Sequence, residues 1–210
     1  LVMPATPIPR SLCLTQFGAL DLTLISELPP GRQPVKTWRV HDRPTQGKAW
    51  KFIRDQLAQG RQAFVVCPRV GDSNLPDSLI GFDDPFPASD DVDDEGLAGN
   101  TEELYRQLKD GELKDIPIGI VHGRMDTQQK ADAMDAFRTG ETRALVSTTV
   151  IEVGVDVPNA SIMVIQEAER FGLSQLHQLR GRVGRGSHQA YCFLFSDGTS
   201  PDVVKRLSAM

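Results

Sequence analysis

Cysteine and histidine are scarce in this sequence. Its 210 residues include three cysteines and four histidines, and none of them occurs at a spacing typical of metal ligands. Neither a metal centre nor a disulfide framework is therefore expected. Cys67 and Cys192 lie inside the apolar runs AFVVCP and AYCFLF, which predicts buried, reduced thiols.

Long apolar runs are also absent. No stretch approaches the roughly 18 apolar residues that a membrane-spanning helix requires. The apolar start, LVMPATPIPR, is interrupted by prolines and lacks the basic segment of a secretion signal. Together with the few cysteines, these features predict a cytoplasmic protein with no membrane partner.

Basic residues are missing from residues 71–100, although nine acidic residues occur there. The remainder of the chain holds 23 basic and 19 acidic residues, whereas the whole chain has a net charge of −5. The body of the protein is therefore mildly basic, which permits a partner with a phosphate backbone. Residues 71–100 also contain prolines and glycines, so we expect a mobile surface insertion.

Short apolar runs recur along the chain and predict buried strands. They occupy residues 63–67, 118–122, 144–147, 161–165 and 190–195. Amphipathic patterns separate them, beginning with a helix that has Thr45 as its expected N-cap and Gly60 at its end. The alternation predicts an α/β fold whose mostly parallel sheet is covered by helices on both faces.

Two further helices are predicted from local signals. One follows Asp126, with Gln129 as the capping-box partner and Met134 and Phe137 on its buried side. Another begins near Ser174 and carries three apolar residues, Leu176, Leu179 and Val183. Seven prolines break up residues 1–45, which we interpret as the tail of a preceding domain and a linker. The domain itself is expected to occupy residues 46–210.

The strongest functional signal is QLRGRVGRG at residues 178–186. On a helix, Arg182 and Arg185 would project from one face, because they are three residues apart. Two permanently charged guanidinium groups suit the charge of a transferring γ-phosphoryl group. An isolated RxxR is typical of a solvated helix surface, but Gln178 and Gly181 stand in register with these arginines. The glycines leave room for a ligand or another backbone.

The segment STTVIEVGVDVPNA, residues 147–160, follows an apolar strand. It predicts that Thr148, Gly154 and Asp156 lie in a loop at the carboxyl end of that strand, where ligands bind in open α/β sheets.

A phosphate-cradling loop is absent. Gly47-Lys48 is followed by alanine and has no glycine at the required position before it, and Asp94-Glu95-Gly96 is not a magnesium-binding DExH box. The sequence can therefore present arginines to ATP but lacks the groups that hold its phosphates.

Taken together, TPIPR, ELPPGRQPVKT, HGRM, STTVIEVGVDVPNA and ERFGLSQLHQLRGRVGRG resemble the RecG branch of superfamily 2 DNA helicases in order and spacing. The resemblance covers nearly the whole chain except residues 71–100. It implies a RecA-like, three-layer αβα lobe, the C-terminal lobe of a motor that uses ATP and Mg²⁺. The implied partners are branched DNA, such as forks and Holliday junctions, and the N-terminal helicase lobe.

The resemblance also implies roles for individual residues. Arg182, Arg185 and Gln178 would act in ATP hydrolysis, and three residues, Gly154, Asp156 and Gly181, would face the nucleotide. The candidate DNA contacts are Thr148, Arg124, Thr6 and Arg10. Pro4 departs from the usual threonine of the TATPIPR motif, which removes a hydroxyl and a backbone donor at that position. His122 is not assigned a role, since it fits a strand end equally well.

Two alternatives remain open from the sequence. The transcription-repair coupling translocase Mfd shares TPIPR and QLRGRVGR, so the chain could be the corresponding lobe of an Mfd-like protein. It could also be a non-catalytic RecA-fold module that binds DNA, although paired arginines at a nucleotide cleft have no use in such a module.

Overall fold

The computed structural model describes residues 33–68, 94–148 and 157–210, with side chains described from residue 100 onward in the second range. These residues form six strands and five α-helices. The strands are β1 Lys36–Val40, β2 Gln62–Cys67, β3 Ile118–Val121, β4 Ala144–Thr148, β5 Ala160–Ile165 and β6 Tyr191–Phe195. The helices are α1 Arg43–Ala58, α2 Asp94–Asp110, α3 Thr127–Thr139, α4 Leu173–Arg180 and α5 Pro201–Ser208. A 3₁₀ turn, Ala168–Arg170, precedes α4.

The strands form one sheet in the order β1-β6-β5-β2-β4-β3, and every neighbouring pair is parallel. Strands β2, β4 and β5 are buried along their whole length. Their continuous apolar sequences fit central strands that have a helical layer on each face. All strand starts therefore lie along one edge of the sheet, the amino edge, and all strand ends lie along the other, the carboxyl edge.

Two hydrophobic clusters cover the two faces of the sheet. In β2, Phe64 and Val66 join one cluster, whereas Ala63 and Val65 join the other, as the alternation of side chains along a strand requires. The first cluster includes Phe137 of α3, and the second includes Ile53 of α1. The predicted α/β architecture with three αβα layers is confirmed.

The helix that starts at Asp126 is also confirmed. The Asp126 side chain accepts a hydrogen bond from the Gln129 backbone N–H at 2.7 Å, and the Gln129 side chain accepts one from the Asp126 backbone N–H at 3.2 Å. In α1 the N-cap is Asp42 rather than the predicted Thr45, which is the third helical residue and completes a capping box with Asp42. Pro44 sits within the first turn, where its missing N–H costs no helical hydrogen bond.

Two boundaries differ from the sequence prediction. Strand β1 lies inside residues 1–45, which were expected to form only a tail and a linker, and it pairs with β6 from Lys36↔Tyr191 to Val40↔Phe195. Helix α2 begins at Asp94, inside the expected insertion of residues 71–100. Strand β1 was not predicted because the surrounding residues are rich in proline. The start of α2 was not predicted because it lies in an acidic segment. Residues 71–93 of the insertion lie outside the described residues.

Among the residues that the structure describes, no helix is both long enough and apolar enough to cross a membrane.

Candidate functional site

The arginine motif lies at the amino edge of the sheet. Helix α4 runs back from the carboxyl edge, and the residues after it lead into the first residue of β6, Tyr191. Leu176 and Leu179 bury the inner side of α4, while Gln178 is partly buried and lies one turn before Arg182. The motif is therefore held by a helix whose apolar side is fixed in the core.

The expectation that Arg182 and Arg185 share a helix face is wrong. Helix α4 ends at Arg180, and Gly181 is its C-cap, with an N–H that donates to the His177 carbonyl at 3.0 Å. Gly184 has a φ of 75°, a left-handed conformation that ends any helical path. The two arginines are instead presented by the loop between α4 and β6.

Arg182 is the more buried of the two arginines. Burial lowers the pKa of its guanidinium, and the nearby charge of Arg185 lowers it further. Arg185 itself is exposed. No other described residue forms an ion pair or a side-chain hydrogen bond with the Arg182 guanidinium. Both the burial of Arg182 and its repulsion from Arg185 would be offset by an anion bound to the Arg182 guanidinium.

Two glycines let the loop pack closely against the rest of the amino edge. A Cβ atom on Gly184 would lie 3.0 Å from the Ala190 Cβ, and one on Gly186 would overlap the carbonyl of Pro158. Pro158 belongs to the segment that leads into β5. The arginine loop and this segment therefore form one surface. Gly181, by contrast, has an ordinary helical φ of −69°, so the structure assigns it a capping position.

The candidate DNA contacts lie at the opposite edge. Thr148 ends β4 and is 4% exposed, and Arg124 is exposed in the turn that follows β3. Strands β3 and β4 are neighbours, so both residues lie at one corner of the carboxyl edge. A strand of five or six residues is about 17–20 Å long, and this length separates the two groups of candidate residues.

The loop predicted for Thr148, Gly154 and Asp156 at the carboxyl end of β4 is described only at Thr148, which does end that strand. Because β4 and β5 are both parallel to β2, the end of β4 and the start of β5 lie at opposite edges. The described residues just before Ala160 therefore lie at the amino edge. Four site residues, Gly154, Asp156, Thr6 and Arg10, lie outside the described residues, and their roles stay predictions.

Sequence reasoning missed the residues of α2 that reach the carboxyl edge. Thr101 is fully buried, and its hydroxyl lies 3.4 Å from the Cys67 sulfur at the end of β2. Next to it, a Glu102 carboxylate oxygen lies 3.8 Å from Nε2 of His122, which follows β3. Strand β4 runs between β2 and β3, so α2 is fixed beside Thr148. These residues could have been found from the sequence EELYRQLK, which lies in this helix.

Arg180 was also missed, although it adjoins the motif. Its guanidinium donates to the Met210 carbonyl, and a second nitrogen lies 3.0 Å from Nδ1 of His177. Burial lowers the pKa of His177, and the charge of Arg180 lowers it further, which favours a neutral imidazole that accepts from Arg180. This arginine fixes the end of α4 and is not available to a ligand.

Comparisons with known proteins agree with this geometry. The helicase conserved C-terminal domain matches residues 97–187. The ATP-dependent DNA helicase RecG from Synechocystis is 46% identical over 100% of this chain, and the RecG from Bacillus subtilis is 42% identical over 100% of it. A solved structure of RecG bound to a three-way DNA junction superposes with a TM-score of 0.69, with 40% identity over 98% of this chain and 24% of that one.

Along its whole length, the chain is similar to one segment of the RecG helicases. It spans about a quarter of the length of these relatives, 23% for Synechocystis and 28% for Bacillus subtilis. The RecG matches along the whole chain favour the RecG interpretation over the Mfd-like one. The yeast protein Dbp5, bound to RNA and ADP BeF3, is 15% identical with a TM-score of 0.59, which shows a shared fold.

Proposed function

We propose that this chain is the second motor lobe of an ATP-dependent DNA helicase that remodels branched DNA. The observation that carries the proposal is that two groups of candidate residues lie at the two edges of one sheet. The partly buried Arg182 and the exposed Arg185 lie at its amino edge, and the candidate phosphate contacts Thr148 and Arg124 lie at its carboxyl edge. A motor lobe needs both, since it must sense the nucleotide and move the DNA.

The amino edge fits a nucleotide phosphate. The guanidinium of Arg182 is partly removed from water, and the charge of Arg185 lowers its pKa further. An anion placed between them would relieve the repulsion and accept hydrogen bonds from both groups. ATP with Mg²⁺, held mainly by a first lobe, would supply the transferable γ-phosphoryl group. Gln178, on the adjacent turn of α4, would help to orient the reacting groups.

The names of the relatives support the substrate and the partners. The Synechocystis relative is named an ATP-dependent DNA helicase, and the solved RecG structure contains a three-way DNA junction. We therefore assign branched DNA, contacted without sequence preference, and an N-terminal helicase lobe as the partners of this chain. A motor on chromosomal DNA works in the cytoplasm of a bacterium, which supports the cytoplasmic location.

The test is the ATPase activity of a two-lobed protein, defined as this chain joined to an ATP-binding first lobe. We expect Arg182→Ala and Arg185→Ala to lower kcat by about 10³ to 10⁵, because arginine fingers act on charge that develops in the transition state. Nucleotide affinity should change little. The control is Arg138→Ala, which removes an exposed arginine of α3 that pairs with Asp135 at 2.7 Å.

The chain by itself should hydrolyse no ATP, with or without DNA, because it lacks a phosphate-cradling loop. Turnover by the purified chain would contradict the two-lobed mechanism. Near-normal turnover of either arginine variant at saturating DNA would remove the proposed catalytic role of that arginine.

A further inference from the structure

A tight turn leads into β5 at the amino edge. The Ala160 N–H donates to the Val157 carbonyl at 2.9 Å, so Pro158 and Asn159 are the two corner residues of this turn. Asparagine is common at the second corner of turns in which that residue has a positive φ. In the described parts of the chain, Glu167 is the one non-glycine residue with a positive φ, so Asn159 is not required for that reason. What asparagine provides at this corner is its side-chain amide.

The Asn159 amide links the turn to the residues that begin β2. Its Nδ2 atom donates to the Gly60 carbonyl at 2.7 Å and to Oε1 of Gln62 at 3.3 Å. The Gln62 backbone N–H donates in the other direction, to the Asn159 carbonyl, at 3.2 Å. We call these three hydrogen bonds the Asn159 bridge. They join two chain segments that are about a hundred residues apart in the sequence.

Gln62 gives the bridge a fixed base. Its side chain is buried, with the residue 2% exposed, and its Nε2 atom donates to the Phe137 carbonyl in α3 and to the Thr142 carbonyl at 3.1 Å. Displacing a buried amide would leave these groups without partners, which costs free energy. The bridge therefore ties the turn to α3 and to the segment before β4 as well as to β2.

The backbone ladder alone does not fix the position of the turn. The pairing of β2 with β5 shifts register, because Gln62 pairs with Ala160 whereas Ala63 pairs with Ile162. One extra residue, Ser161, is thus accommodated at the start of β5, as in a β-bulge. Since a bulge disrupts the ladder locally, the side-chain hydrogen bonds of the bridge hold the turn in place.

The turn is in direct contact with the arginine loop. A Cβ atom on Gly186 would overlap the carbonyl oxygen of Pro158, so the two backbones touch at this point. The Pro158 carbonyl belongs to the peptide bond with Asn159, and Gly186 directly follows Arg185. A displacement of the turn is therefore passed to the backbone of Arg185.

We propose that Asn159 is a positioning residue for Arg185. The Asn159 bridge holds the turn, the turn holds Gly186, and Gly186 sets the backbone from which the Arg185 guanidinium reaches the γ-phosphoryl group. Asn159 acts on the rate of hydrolysis through Arg185 and does not touch the nucleotide. This inference rests on the proposed function, in which Arg185 acts in ATP hydrolysis.

The test compares maximal single-turnover rates of ATP hydrolysis by the two-lobed protein at saturating DNA. Asn159→Ala should lower the rate at least about ten-fold, because a small displacement of a catalytic group is costly. In an Arg185→Ala background, the same substitution should change the rate by less than about two-fold, since the group that it positions is already absent. The ATP concentration at half-maximal rate should stay nearly the same, as expected for an effect on the transition state.

Arg143→Ala is the matched control. Its Nη1 atom donates to the same Gly60 carbonyl at 2.9 Å, but none of its described hydrogen bonds reaches residues 157–160. This variant should have a lower melting temperature and a hydrolysis rate close to that of the wild type. Asn159→Asp keeps the size of the side chain but has no donor for the Gly60 carbonyl, so it should be as slow as Asn159→Ala.

Several results would overturn the proposal. An equal fall in rate in both backgrounds would show that Asn159 acts through a group other than Arg185. An equal fall with Arg143→Ala would reduce the bridge to a contribution to stability. A normal rate for Asn159→Ala, with a slow Arg185→Ala, would overturn this inference alone, whereas a normal rate for Arg185→Ala would overturn the catalytic role of that arginine as well.

Discussion

A side chain on Gly186 would overlap the carbonyl group of Pro158. The contact joins the arginine loop to the segment before β5, so it fixes where Arg182 and Arg185 stand at the amino edge. A methyl group at this position must push one backbone away from the other. The glycine is thus required by close approach of two chain segments.

We therefore expect Gly186→Ala to lower the ATPase of the two-lobed protein by at least about ten-fold, since displacements near 1 Å at a catalytic group are costly. Thermal unfolding should show a lower melting temperature as well. The control is Gly47→Ala in α1, where no atom lies within 4 Å of the added methyl. That change should be neutral or stabilise the helix by up to about 1 kcal/mol. Normal turnover by Gly186→Ala would show that the loop position is not critical.

Individual strands and helix caps could be predicted from the sequence, because each depends on residues that are adjacent in the chain. The pair Asp126 and Gln129 is one example, and the run that became β2 is another. The helical placement of Arg182 and Arg185 failed because spacing alone cannot show that Gly184 adopts a positive φ. The surroundings of Gly184 are also not local, because an added Cβ atom there would lie 3.4 Å from a methyl group of Val35, which is far away in the sequence.

The placement of the candidate site was predictable only in part. Apolar sequence identified β4 and β5, but the parallel pairing of both with β2 decided that Thr148 and Pro158 lie at opposite edges. Strand order is a long-range property that no local pattern contains. The contact between Glu102 and His122 depends on the same order.

Burial of the Cys192 thiol makes the folding stability depend on pH. Burial raises the pKa of Cys192 from 9.0 to about 12, with a smaller opposing effect from the charge of Arg180. Above pH 9 the unfolded chain loses this proton while the folded chain keeps it, so folding stability falls as pH rises from about 9 to 12. The loss is at most about 1.4 kcal/mol per pH unit for one proton.

Urea unfolding of the wild type and Cys192→Ala, in reducing buffer, isolates this effect. The variant is less stable at pH 8 because the substitution leaves a small cavity in the core. That deficit should shrink by about 1–2 kcal/mol at pH 10.5, because only the wild type still has this thiol to titrate. A deficit that stays constant between the two pH values would contradict the prediction.

The acidic segment 71–100 has two parts, because α2 begins at Asp94 within it. Residues 71–93 hold too little apolar surface to offset their ordering entropy, so replacing them with a short glycine-serine linker should leave the melting temperature nearly unchanged. Extending the deletion through residue 100 removes the first turns of α2, next to the buried Thr101, and should lower it by several degrees. Equal losses from both deletions would show that residues 71–93 themselves contribute to the fold.

DNA binding by the chain alone should be weak, independent of sequence and only moderately reduced by salt. Arg124 and the residues around Thr148 occupy one corner of the carboxyl edge, which can reach only a few phosphates. Each neutralised phosphate contributes about −0.9 to the salt slope on duplex DNA, so few contacts give a small slope and low affinity. Phosphate contacts position a protein without reading bases.

Titration of a labelled fork and a plain duplex at several salt concentrations measures the slope. Arg124→Ala should reduce its magnitude by about 1 and weaken both substrates equally, because one phosphate contact is lost. Arg138→Ala is again the matched control, since its guanidinium is exposed on α3 and already paired with Asp135. Thr148→Ser keeps a hydroxyl at the strand end and should bind like the wild type, whereas Thr148→Val removes it. If the chain alone bound forks tightly and in preference to duplex, junction recognition would reside in this lobe, and the carboxyl edge would do more than follow the backbone.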